Sequence, residues 1–507
     1  MRVVQNIQMQ IGEVDVSKIK FDLKSRDDIP KILRGLQHLY IDPALRTKLF
    51  ALLEEHIAPK VDKNNGRPGM TLWRIFVCGV VRLDLNIDYD RLHELVNHHD
   101  TLREMLGHAQ FDEQHYHHQT LKDNVCLFTP QLLDKVNQLV VESGHILLKK
   151  KGDEALRGRC DSFVVETPVH YPTDINLLFD AMRKILTLTG RWCEHKQVSD
   201  WRQHQHNVKN LKQLMRKAQN TRRRKAKSEE QKQNNEALTQ KTYPAYLDLA
   251  ECYLNKIKAT MAKLEAISVD EYDVMRKLEI EGFMKHAIRQ IDQTRRRVIC
   301  AEVIPHAQKV FSIFEPHTEW ISKGKAGVPV ELGIKVCILE DQYQFILHHE
   351  VMQQKTDDQV AVSMVAAAKK RFPRLSACSF DKGFHSTGNQ DQLKEHLELV
   401  ALPRKGKLSQ AAQAEQQSEG FLKARRAHSA VESAINALEV HGLDKCLDHG
   451  IGGFKRYVAF AVVARNIHRI GAILWQQEQE QEQEQEQKRA KRRKKCSNRV
   501  PPEKRAA

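Results

Sequence analysis

A six-residue apolar run, Leu375-Ser376-Ala377-Cys378-Ser379-Phe380, ends on an acid and a nearby glycine, Asp381-Lys382-Gly383. A helical pattern follows, then a second apolar run, Leu397-Glu398-Leu399-Val400-Ala401-Leu402, stopped by Pro403. Beyond a polar loop, a further helical pattern over 425–439 carries Glu432 among Val431, Ile435 and Leu438. This reads as a strand that delivers a carboxylate at its end and a helix that brings a second one beside it. A third candidate lies far upstream, in Cys160-Asp161-Ser162-Phe163-Val164-Val165-Glu166-Thr167. At period 2, Asp161, Phe163 and Val165 share one strand face and Glu166 falls on the other. A carboxylate on a mostly apolar helix face is costly unless it is paired or bound to metal. Three acids from separated elements suit hard divalent cations, which take oxygen ligands. Paired ions of that kind activate a nucleophile and stabilise a leaving oxygen in phosphoryl transfer.

These acids sit in a recurring order: strand with acid, helical block, strand hairpin, helix, strand with acid, helix, strand, helix with acid. Strands joined through helices imply an α/β fold with a mixed sheet covered on both faces. Chemistry in such folds gathers at the ends of neighbouring strands.

With 507 residues the chain has room for more than one domain. Lysine and arginine number 81 against 65 acids, a formal charge of +16, which favours a polyanionic partner. Nucleic acid stands ahead of membrane, because no apolar run approaches the ~20 residues of a span. The start, Met1-Arg2-Val3-Val4-Gln5, lacks the apolar core of a signal peptide. Together these give a cytoplasmic expectation. Ten cysteines without a Cys-x-x-Cys pair point to reduced thiols. The cluster His115-Tyr116-His117-His118 lacks the ligands that would complete a zinc pattern.

Residues 1–150 read as a helical, DNA-binding domain. Pro30 suits a first helical turn, 44–55 has helical spacing, and Gly66-Arg67-Pro68-Gly69 is a turn with Thr71 as cap. Helices are expected from there to about Asp84, over 89–106, and over 121–150, closed by Lys149-Lys150-Lys151. A strand over 161–167 leads to a turn at 171–174, with Asp174 as the helix cap. The pattern over 176–299 is a helical, basic insertion, read as a projecting hairpin, with Arg222, Arg223 and Arg224 as candidate phosphate contacts. Trp192 and Trp201 within it are read as packing residues. Strands are expected over 310–314, 330–339 and 344–349, with a turn at 340–342 and an amphipathic helix over 356–371. Gly450-Ile451-Gly452-Gly453-Phe454 reads as a loop before an apolar helix over 457–475. The Gln/Glu repeat and basic run over 476–507 read as a disordered or frayed tail, since they bury no core.

Several stretches together resemble the DDE-type transposases of bacterial insertion sequences, with closest similarity to the ISNCY group. They are Gly66-Arg67-Pro68-Gly69-Met70-Thr71-Leu72, 89–92, 161–174, Phe314-Glu315-Pro316-His317-Thr318, Asp381-Lys382-Gly383-Phe384 and 428–439. The resemblance spans nearly the whole chain. It implies a ribonuclease-H-like catalytic core over 155–175 and 300–475. Asp161, Asp381 and Glu432 would be its metal-binding catalytic acids, holding two Mg2+ ions that Mn2+ can replace. The implied partners are double-stranded DNA, at the element ends and at the target, and a second copy forming a homodimer on paired ends. The setting is the bacterial cytoplasm at the nucleoid, with no membrane. Around the third acid, hairpin-forming relatives carry Tyr, Arg and Lys where this chain has Arg425, His428 and Glu439. Lys382, Arg425, Arg426 and His428 are the candidate DNA contacts there. Alternative readings are a structure-selective nuclease on the same core and an inactive DNA-binding derivative.

Overall fold

A computed structural model describes residues 2–5, 9, 11–57, 69–109, 111–148, 154–267, 270–322 and 329–497. Gly66, Arg67 and Pro68 of the expected turn, and Lys149, Lys150 and Lys151, lie outside the described residues. The chain divides into two compact units, Met1–Pro168 with Lys323–Ala507, and Val169–Ser322.

Among the described residues there are six strands: β1 (Leu156–Glu166), β2 (Glu319–Ser322), β3 (Val330–Glu340), β4 (Ile346–Met352), β5 (Leu375–Phe380) and β6 (Leu399–Ala401). The sheet is mixed and flanked by helices. Within the larger unit β4 pairs with β3 and β3 with β1, both antiparallel. β1 pairs with β5 and β5 with β6, both parallel. The helix Asp357–Arg371 makes the crossover from β4 to β5, and Thr387–His396 makes the crossover from β5 to β6. Two parallel connections of this kind need a covering helix each.

One hydrophobic core runs through the larger unit, from Val16 and Ile32 through Phe76 and Val336 to Ile467. Its centre is the helix Gly450–Ser497, which packs on the helices Ile29–Ile41, Leu72–Asp84 and Pro130–Leu147. By length and composition this helix could cross a membrane, but 83% of its apolar window is buried within the fold. It meets the helix Ile29–Ile41 backbone to backbone. A Cβ on Gly471 would collide with the Lys31 carbonyl, and one on Gly35 with the Ile467 carbonyl. Asn466, fully buried on the same helix, is satisfied throughout. Its Nδ2 donates to Asn137 Oδ1 (2.7 Å) and to the Ile346 carbonyl (3.0 Å), and its Oδ1 accepts from the Ile346 N–H (2.9 Å).

Among its described residues the smaller unit holds four α-helices, Asp174–His195, His204–Arg223, Glu229–Ile267 and Glu271–Thr294. They enclose a core of their own that includes Met182, Trp192, Tyr246, Leu247 and Ile280. The insertion is therefore a packed bundle, not a bare polar hairpin. Its apolar positions are diluted among lysines and glutamines, so the buried stripe was hard to see at helical spacing. Trp192 is fully buried and donates to Asp273 Oδ1 (2.8 Å), and Trp201 Nε1 donates to Thr260 Oγ1 (2.9 Å). Both tryptophans pack.

Several boundaries differ from expectation. The helix expected over 89–106 is two, Tyr89–His98 and Asp100–Met105. That over 121–150 is also two, His118–Val125 and Pro130–Leu147, because Thr129 caps the second by accepting from Leu132 N (3.2 Å). Thr173, not Asp174, caps its helix. Asp174 occupies the first turn and pairs with Arg297. The 310–314 segment forms no strand, and β2 instead falls at Glu319–Ser322, between the strands expected over 310–314 and 330–339. Gly450 to Phe454 form the start of a helix, not a loop. That helix continues through the Gln/Glu repeat to Ser497, because glutamine, glutamate and lysine are good helix formers even when exposed.

The first turn past Trp475 is tied down. Arg34 pairs with Glu478 (2.7 Å), and Gln479 Nε2 donates to the Leu23 carbonyl (3.0 Å). Truncation after Gln487 should leave the thermal transition unmoved. Truncation after Trp475 should cost about 1–2 kcal/mol, the net worth of one partly buried ion pair and one hydrogen bond. Calorimetry on the two truncations compares them directly.

Candidate acidic site on the sheet

β1 begins at Leu156, five residues before the expected start. Gly158 and two arginines depress strand propensity there, but pairing with β5 overrides it. Asp161 thus lies mid-strand, opposite Ile338 of β3. Its neighbourhood is nevertheless a strand end. The parallel ladder of β1 with β5 closes on Cys160 opposite Phe380. The next residue on each strand is an acid, Asp161 on one and Asp381 on the other. Glu432 stands in the first turn of the helix Ala430–Leu438, which packs against β1. Ser429 separates that helix from Glu419–His428, so the single helix expected over 425–439 is two.

Asp161 is half-buried, and its carboxyl is pushed up to about 6. Desolvation is the largest cause; the Ser162 N–H opposes it, and the charges of Asp381, Asp357 and Glu432 add to it. Its hydrogen-bond partner is that Ser162 N–H, at 2.8 Å. Asp381 and Glu432 therefore both act electrostatically on Asp161, and Asp357 joins them. Asp357 opens the crossover helix, accepts from Ser162 Oγ (2.6 Å) and pairs with Lys335 of β3 (3.1 Å). In the sequence Asp357 looks like an ordinary acid in the first turn of a helix. The visible signal was a lysine on the strand that alternates inward, but nothing in the spacing joined 335 to 357.

The cations at this site differ in what they can offer. Arg425 Nη1 donates to the Phe380 carbonyl (3.2 Å), and its Nη2 lies 3.8 Å from Asp381 Oδ1, so it braces the strand end that carries the acid. Arg426 and Lys382 are exposed and carry no ion pair among the described residues. His428 departs from expectation. It is buried, its Nδ1 shares a hydrogen bond with Ser379 Oγ (3.1 Å), and it titrates near 4, chiefly through burial and then through Arg425. A neutral, enclosed imidazole has no charge to give a phosphate, so His428 supports β5. Glu166 lies on the part of β1 where its N–H and carbonyl bond the 444–446 segment, away from the acid cluster.

Arg222, Arg223 and Arg224 end the helix His204–Arg223 of the smaller unit and are all exposed. The His115 to His118 stretch forms no metal-ligand cluster among the described residues, and Tyr116 instead bonds His108 Nε2 (2.6 Å).

The donor chemistry of Asp161, Asp381 and Glu432 fits hard divalent ions: all donors are carboxylate oxygens, and Asp161 and Glu432 have no cationic partner among the described residues. The site lacks the compactness of a closed metal cage, since the acids do not converge within coordination distance by themselves. An open acidic site of this kind leaves room for a phosphate to complete it. Comparison with family models, with curated proteins and with solved structures returns no match to this chain.

Proposed function

We propose that this protein is a DNA transposase of the DDE type, built on a ribonuclease-H-like core and acting in the bacterial cytoplasm. The observation that carries the proposal is the register of β1 and β5. It sets Asp161 beside Asp381 where the parallel ladder ends, with Glu432 acting on the same carboxyl. The strand order supports the core assignment, since an antiparallel trio leads into two parallel crossovers, with the third acid on a helix C-terminal to the last strand. Asp161, Asp381 and Glu432 would hold Mg2+, or Mn2+ in its place. Such ions, when bound, supply a hydroxide near neutral pH and neutralise charge on the transferring phosphate. The chain's own residues hold the acids in place: Arg425 fixes the end of β5, Lys335 neutralises Asp357, and Ser162 links that acid to β1. No serine or tyrosine nucleophile is needed. The net charge of +16 supports a DNA partner, and a dimer on paired ends follows from the resemblance.

The test is incubation of the full chain with Mg2+, a target plasmid and linear DNA bearing the element's own ends. Joined products support the transposase. Cleavage without joining supports a nuclease on the same core, and binding without cleavage supports an inactive derivative. Charge removal at Arg222, Arg223 and Arg224 should flatten the slope of log affinity against log salt by up to ~0.9 per lost phosphate contact. An unchanged slope would show that this run faces solvent.

A further inference from the structure

A second group of ligands lies apart from the acidic site. Asp84 closes the helix Leu72–Asp84, His441 sits in the turn Glu439–Leu443, and His468 belongs to the helix Gly450–Ser497. One donor atom from each lies within 4.8 Å of the others. Asp84 is buried, and 9% of the His441 side chain and 12% of the His468 side chain are exposed.

We propose that Asp84, His441 and His468 form a structural site for a borderline divalent ion of the zinc class, independent of the Mg2+ chemistry at Asp161.

The ligand chemistry selects the ion. Two imidazoles and one carboxylate suit zinc, cobalt or nickel, whereas magnesium favours oxygen alone. The tautomer is already set at His441. Its Nδ1 donates to the Asp84 carbonyl (2.6 Å), which leaves Nε2 with a free lone pair. A backbone carbonyl commonly orients a ligating histidine in this way. His468 Nδ1 lies 3.0 Å and 3.1 Å from the two carboxylate oxygens of Asp84. Tetrahedral bonds of about 2.0–2.1 Å set neighbouring ligand atoms about 3.3 Å apart, so this pair is already near that spacing. The two imidazole centroids are 4.7 Å apart.

The backbone holds His441 there. Its φ of −89° and ψ of 38° leave the helical region, and Gly442 follows at φ 98°. A Cβ on Gly442 would stand 3.2 Å from both Leu83 Cδ1 and Tyr457 Oη, so a side chain there is crowded and is strained by the positive φ. Charge also favours a dication. Asp84 is one acid, and Asp28 is near enough for both histidines to act on its carboxylate. Arg465 is the neighbouring cation, and it forms no ion pair with Asp84 among the described residues.

The experiment uses the full chain, stripped with chelator and then titrated with Co2+ and with Zn2+ in excess Mg2+. The expected result is one equivalent of Co2+ with tetrahedral ligand-field absorption, displaced by Zn2+, and a rise of several degrees in the thermal midpoint. His468→Gln and His441→Asn should each weaken binding at least tenfold. Asp381→Asn should leave it unchanged, which separates this site from the acidic one. If the parent chain binds no stoichiometric Co2+, the three side chains form a hydrogen-bonded network only and the proposal fails. It also fails if a folded His468→Gln chain binds as well as the parent. Should that variant not fold, the Co2+ spectrum of the parent decides alone.

Discussion

Replacing Asp161 or Asp381 by asparagine, or Glu432 by glutamine, is expected to lower Mg2+-dependent cleavage and joining of DNA by several orders of magnitude. Each change keeps side-chain size and removes one oxygen anion from the ion-binding set. On the transposase proposal DNA affinity should persist, since phosphate contacts away from the acids would supply it. Stability should move the other way for Asp161. Its carboxyl titrates near 6 in the fold against 3.8 ordinarily, so the folded chain holds a proton that the unfolded chain has lost between those values. This group therefore favours folding most below about pH 4, and that support is lost as pH rises to about 6. Asp161→Asn removes the loss. At pH 7.5, without metal, the variant should exceed the parent by on the order of 2–3 kcal/mol, with the gap closing at pH 4. Urea unfolding at the two pH values reads both. Glu166→Gln should change neither activity nor this pH dependence. A variant less stable than its parent at pH 7.5 would mean that burial and the neighbouring acids do not disfavour the Asp161 carboxylate.

Asp448→Ala should destabilise the larger unit by about 3–5 kcal/mol, since breaking a buried pair leaves its partner charge uncompensated. Asp448 is buried and takes Arg82 Nη2 at 2.9 Å and Arg456 Nη2 at 3.1 Å. Arg82 is buried too, with its guanidinium 3.9 Å from the Tyr89 ring centroid and 5.3 Å from that of Tyr457. Arg82→Met combined with Asp448→Leu should recover part of the loss, because an apolar pair of similar volume carries no desolvation cost, while Arg456 still lacks its partner. Chemical denaturation of the single and double variants forms the cycle.

Where the sequence was legible, local chemistry decided the structure. The run Leu375 to Phe380 is bounded by Pro373 and by an acid, and it forms β5 over those residues. Thr71 and Thr356 announce helix starts and cap them. Asp161, Asp381 and Glu432 were findable because each breaks an apolar pattern, and a charge there demands compensation. What stayed hidden depends on tertiary partners. β1 extends back to Leu156 only because β5 lies beside it. Asp357 is tied to Lys335 and Ser162 by contacts that no spacing encodes. His428 stands beside two arginines in sequence, yet its helix turns it under the sheet onto Ser379. Asp84, His441 and His468 come from three remote segments, so no motif could unite them.

The position of the helix that begins at Gly450 sets the order of events during translation. The smaller unit draws its core from residues between 175 and 313 and can close while the ribosome is still at work. The larger unit cannot. The faces of Ile32, Leu36, Phe76 and Val80 await Phe460, Ile467 and Ile470, which emerge hundreds of residues later. A message cut short before codon 450 thus yields a chain whose smaller unit can fold while its larger unit keeps an open core, subject to proteolysis.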